Sequence, residues 1–123
     1  MTDARPASGG LKVTRSFRGR TAFFRLEGEL AAREADELAR SLDSACQGIV
    51  EGVVVNLEDC DVEGAEAVSS LLQAVKALLE RGCRVTLFGP PQMLAHNLYR
   101  AGLTRGANAL RLIAQQNDEP TAS

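Results

Sequence analysis

The chain is poor in the groups that most often carry chemistry. Among 123 residues it has no tryptophan, one tyrosine, four phenylalanines, one histidine and three cysteines. Cys46, Cys60 and Cys83 are widely spaced and form no C-x-x-C pair, and His96 is remote from them. A structural zinc site needs four ligands at closer spacing, so none is encoded. Reduced thiols are expected, with Cys46 and Cys83 packed as small hydrophobes. Cys60 falls in a polar stretch and is expected to be more exposed. No apolar run approaches the ~20 residues of a membrane span. The opening MTDARPASGG lacks the apolar core of a signal peptide, so a cytoplasmic protein is expected. There is no G-x-G-x-x-G, no G-x-x-x-x-G-K-[ST] and no G-x-S-x-G, so no phosphate cradle, cofactor loop or nucleophile elbow is written in the chain.

What remains is ordinary for a globular domain: 45% apolar, 24% charged, net charge −2. Roughly 100–110 ordered residues suffice to bury about two thirds of the unfolded surface. The charge is unevenly spread. Arg5, Lys12, Arg15, Arg18, Arg20 and Arg25 stand against Asp3 alone, whereas from Glu27 to Glu66 only Arg33 and Arg40 interrupt the acidic residues. A basic first hairpin raises the question of nucleic acid. Solvent-facing alternate positions of strands account for it, and no aromatic platform accompanies it, so no nucleic-acid partner is expected. The acidic block is a solvated face, or meets a basic partner.

Periodicity supplies the fold. Residues 1–10 and 115–123 read as disordered tails around one domain, 11–114. Leu11–Phe17 and Thr21–Leu26 alternate about Gly19 as a hairpin. Ala35, Leu38, Leu42, Ala45 and Ile49 mark a helix over about 32–48. Gly52–Leu57 is a buried strand, followed by an acidic turn. Val68, Leu71, Leu72, Val75, Leu78 and Leu79 mark a second helix that stops at Arg81-Gly82. Cys83–Phe88 is a strand. Leu94, Leu98 and Ala101 mark a short helix with Gly102 as its C′ residue, and Leu110–Ile113 is a last strand. The order β-β-α-β-α-β-α-β predicts an α/β single domain, a mainly parallel sheet with helices largely on one face. The other face is left thinly covered or open to a partner.

The acidic turn holds the chain's densest group of carboxylates. Glu58, Asp59, Asp61, Glu63 and Glu66 are potential paired carboxylates, yet no substrate cleft accompanies them. His96 has no nucleophile in its local sequence. The run Asp59-Cys60-Asp61-Val62-Glu63-Gly64 matches the opening of a calcium loop. The match fails at Glu63, at Ser70 in the twelfth place, and in the strand that precedes it. No enzyme, catalytic residue, cofactor or metal is expected; the alternative of another class is a small-ligand or calcium-binding module.

Residues 20–103 resemble the STAS domain of bacterial anti-sigma factor antagonists and sulfate transporters. FFRLEGEL is similar to the family's second strand and its Gly-x-Leu, and GVVVNLEDCD to its central strand. AVSSLLQAVKALLERGCRVTLFG is similar to its second helix and fourth strand, and PPQMLAHNLYRAGL to its third helix. The resemblance implies a non-enzymatic module that binds proteins: an anti-sigma factor or kinase, or alternatively an ABC-type lipid-transport ATPase on which a soluble subunit docks. It implies neither membrane insertion nor a fixed oligomeric state. In the antagonists the turn before the second helix reads Asp-Ser-Ser-Gly or Asp-Ser-Thr-Gly, and its second hydroxyl is phosphorylated. Here Gly64, Ala65, Glu66 and Ala67 stand there, with no Ser, Thr or Tyr from Asn56 to Val68. Switching by phosphorylation at that position is therefore not expected. Glu66 is either a favourable first-turn residue or a partial mimic of a phosphorylated one. The expected regulatory turn comprises Asp59, Asp61, Glu63, Gly64, Ala65, Glu66, Ala67 and Ser69. Ser69 and Ser70, one turn further on, read as packing or surface residues. Ala31 replaces the family's Asp after Gly-x-Leu, which puts the usual contact surface around the first helix in doubt.

Overall fold

The computed structural model describes residues 3–6, 11–48, 50–105 and 110–113. The tail expected at 115–123 lies outside them. Six strands line up in chain order in one sheet. They are β1 (Asp3–Pro6), β2 (Lys12–Arg18), β3 (Thr21–Leu30), β4 (Gly52–Val62), β5 (Arg84–Phe88) and β6 (Arg111–Ile113). The helices are α1 (Ala32–Ala45), α2 (Gly64–Glu80) and α3 (Gln92–Arg100). β1, β2 and β3 pair antiparallel; β3 to β6 pair parallel. The expected order therefore holds, with one strand added ahead of it. Asp3–Pro6 falls inside the segment expected as a disordered tail, yet pairs with β2 from Asp3↔Arg15 to Pro6↔Lys12. A backbone edge offers unpaired N–H and C=O groups, and these recruit a strand without asking for apolar side chains. β2 is consequently an inner strand, not the sheet's edge.

Each crossover from β3 onward advances one strand in the same direction. Right-handed crossovers that all step the same way put all three helices on one face. Burial follows this plan. Ala22, Phe24, Leu26, Val53, Val55, Leu57, Val85 and Leu87 are buried in one core with Ala35, Leu38, Leu42, Leu71, Val75, Leu78, Leu94 and Leu98. Their neighbours Phe23, Val54, Asn56, Thr86 and Phe88 are half-buried, because no helix among the described residues covers that face. Each large core side chain, such as Phe24, contributes about 1.5–3 kcal/mol by leaving water.

α1 ends at Ala45, three residues short of the expected 48. The chain must reverse to enter β4, and Gly48 (φ +87°) supplies the left-handed turn. Gly102 follows α3 at C′ with φ +79°, as expected. α1 and α2 lie side by side and roughly parallel. Ser70 Oγ donates to Asp36 Oδ1 (2.8 Å) near their starts. Arg81 pairs with Asp43 near their ends.

Candidate functional site

The largest departure from expectation lies in the acidic turn. β4 does not stop at Leu57; it runs to Val62 beside β3, pairing Glu27↔Asp59, Gly28↔Cys60, Glu29↔Asp61 and Leu30↔Val62. The register slips between Arg25↔Asn56 and Glu27↔Asp59, so β4 carries one extra residue there. The Glu58 N–H donates to Asn56 Oδ1 at 2.9 Å within this bulge. A bulge re-aims every side chain after it. Plain alternation from Val53, Val55 and Leu57 would drive Asp59 and Asp61 into the core. The bulge turns Cys60 inward instead and leaves both aspartates exposed. Cys60 is only 5% exposed, which corrects the expectation of an accessible thiol. Burial, with Asp61 beside it, pushes its pKa up to about 12.

The same extended backbone removes the calcium-loop alternative. Asp59 and Asp61 stand two residues apart on one face of a strand and do not wrap a cation. Asp59 Oδ2 accepts instead from Arg25 Nη2 (2.9 Å), with Glu27 beside it at 3.7 Å from the same nitrogen. Among the described residues, no cluster of His, Cys, Asp and Glu is arranged to hold a metal ion. Other arginines of the basic hairpin also meet groups of the molecule itself. Arg20 pairs with Glu51 at 2.6 Å, and Arg18 lies over the Phe23 ring at 5.8 Å.

Only one residue separates β4 from α2. Glu63 is the N-cap, with extended backbone and no capping bond from its side chain. Its N–H donates to the Leu30 carbonyl at 2.9 Å, fixing the start of α2 to the end of β3. Gly64 follows with φ +88°, a left-handed conformation that side-chain-bearing residues resist. A Cβ there would meet nothing within 4 Å, so it is the backbone and not crowding that requires glycine. Ala65 and Glu66 are exposed, and Ser69 is exposed one turn later. Ala67 is fully buried against the core. Of the expected site residues, seven thus form one exposed acidic edge running from the end of β4 over the start of α2, and Ala67 anchors it. The unpaired N–H groups and dipole at that helix start favour the Glu66 carboxylate.

Two features escaped sequence reasoning. Ser70 is half-buried and tied to Asp36, so it links two helices instead of merely lining one. A shallow groove between α1 and α2, lined in part by Ala39, Ala74 and Ala77, runs from that bond to the Arg81–Asp43 pair. Both links join residues more than thirty positions apart, and no local signal announces such contacts. Ala31 is the N-cap of α1, with extended backbone and no capping bond from its side chain.

A mainly parallel sheet with its helices on one face defines a small single α/β domain. The model of the STAS domain matches residues 12–112, and the chain belongs to that family. No curated relative matches the sequence. Among solved structures it is similar to phosphorylated SpoIIAA, the Bacillus cell fate determinant (TM-score 0.64, 19% identity, 83% of this chain and 91% of that one). It is also similar to an anti-sigma factor antagonist from Mycobacterium paratuberculosis (TM-score 0.60, 15% identity, 93% and 94%). A sulfate transporter family protein from Wolinella succinogenes shares the fold as well (TM-score 0.60, 18% identity, 83% and 83%). Identities this low carry the fold alone.

Proposed function

We propose that this protein is a non-enzymatic docking module of the anti-sigma factor antagonist type, and that its contact edge is held in one signalling state. The observation that carries the proposal is Glu66. It is exposed in the first turn of α2, at the position where the resemblance puts a phosphoacceptor. No hydroxyl residue lies between Asn56 and Val68 to take a phosphate. A carboxylate supplies one negative charge where a phosphoserine supplies about −1.5 to −2, so the surface is permanently and moderately acidic. The partner's matching surface is basic, an anti-sigma factor or its kinase. No described helix is long and apolar enough to cross a membrane, and the domain works as a soluble partner.

Site-specific photo-crosslinking tests the proposal. A photoreactive residue is placed at exposed Ala65 and, in a second variant, at exposed Lys76 on α2. The proposal expects a protein adduct from position 65 that mass spectrometry identifies as an anti-sigma factor or kinase, and none of that partner from position 76. A transporter ATPase in that adduct favours the subunit alternative. Adducts from position 76 alone overturn the contact edge.

A further inference from the structure

Cys46 and Cys83 lie 37 residues apart in sequence, and their Sγ atoms approach to 2.7 Å. Cys46 is the C-cap of α1. Cys83 lies just past the C-cap Arg81 and Gly82 that end α2, its N–H bonded to the Leu78 carbonyl at 3.0 Å. Because α1 and α2 run side by side, both thiols sit at the same end of the helix pair, just beyond the Arg81–Asp43 ion pair. That end lies opposite the acidic contact edge. Cys83 is 6% exposed and Cys46 is half-buried. Cys46 is therefore the more exposed member of the pair.

We propose that Cys46 and Cys83 are a reversible dithiol–disulfide pair that clamps the end of α1 to the α2–β5 junction, oxidised by a low-molecular-weight disulfide of the glutathione class. The Cys46 thiolate attacks one sulfur of the small disulfide and expels one small thiolate. The Cys83 thiolate then attacks the Cys46 sulfur of the mixed disulfide and expels the second. Two protein thiols and one small disulfide become one protein disulfide and two small thiols, the two protons passing to the leaving thiolates. Reduction runs the same steps backwards. Burial and the hydrogen bond with Cys83 raise the Cys46 pKa to about 12; Arg81 opposes this and Asp43 adds to it. The first attack is accordingly slow near neutrality, whereas ring closure between touching sulfurs needs no search.

The test incubates the full chain with reduced and oxidised glutathione in a graded series, followed by intact mass and alkylation mapping. The expected product is a monomer lighter by two hydrogens, with Cys46 and Cys83 protected and Cys60 still alkylated after unfolding. Its Tm rises by roughly 10 °C over the reduced form, because the cross-link restrains the unfolded chain. Cys83→Ser should stop at a glutathione adduct on Cys46 and show no such rise. Three free thiols in fully oxidised glutathione, a lasting adduct on wild-type Cys46, or a disulfide-linked dimer would overturn the proposal.

Discussion

Replacing Gly64 by alanine isolates the backbone geometry that starts α2. The left-handed φ of +88° costs an L-residue about 1–2 kcal/mol. The added Cβ meets nothing within 4 Å, so no clash adds to this. Alanine also narrows the unfolded ensemble, which returns about 0.4–1 kcal/mol. The net loss is about 1 kcal/mol, a fall in Tm of about 4 °C for a domain of this size. Gly52→Ala is the control. Its Cβ would lie in ordinary contact, 3.5 Å from the Arg84 carbonyl oxygen, and its φ is not left-handed. That variant should be neutral or slightly stabilised, and Gly64→Asn should fall between the two, since Asn tolerates this region. Urea unfolding of the three variants reads the difference. Equal stability of Gly64→Ala and Gly52→Ala would refute the left-handed start of α2, and with it the placement of Glu66.

Three further outcomes are expected of the same fold. Ala31→Ser should stabilise by about 1 kcal/mol, because the N-cap of α1 already has extended backbone and lacks only an acceptor; urea midpoints check this, and no gain would mean the cap is otherwise satisfied. Asn56→Ala should cost about 0.5–1.5 kcal/mol by freeing the Glu58 N–H in the bulge, again read by urea unfolding. The Cys60 thiol ionises near 9.0 when free and near 12 when folded. The unfolded chain therefore loses this proton first, so stability is held below pH 9 and falls as pH rises from 9 towards 12. Thermal melts over that range should fall less steeply in Cys60→Ala.

Much of the fold was legible because its elements carry strong periods. Leu71, Val75 and Leu78 announce α2, and Val53-Val54-Val55 announces the heart of β4. The run of one direction through β3–β6 follows from the alternation of strand and helix. The site was legible in composition but not in conformation. Asp59, Cys60 and Asp61 look like a turn because polar residues crowd them. Only the spacing of apolar Leu57 and Cys60, three apart where a plain strand repeats every two, hints at a bulge. β1 was missed because an edge strand draws on backbone hydrogen bonds more than on side chains. Ser70–Asp36, Arg81–Asp43 and Cys46–Cys83 were missed because tertiary packing brings them together across more than thirty residues of chain.

The most direct test of a fixed acidic docking edge is the affinity of the partner crosslinked at position 65 for wild type and for Glu66→Lys. The substitution is exposed and leaves the core untouched, so both proteins should unfold alike apart from the small helix-start term. The account predicts at least a tenfold loss of affinity, about 1.4 kcal/mol, growing smaller as salt is raised. Equal affinity of the two proteins would contradict it, and would leave Glu66 as no more than a good first residue for a helix.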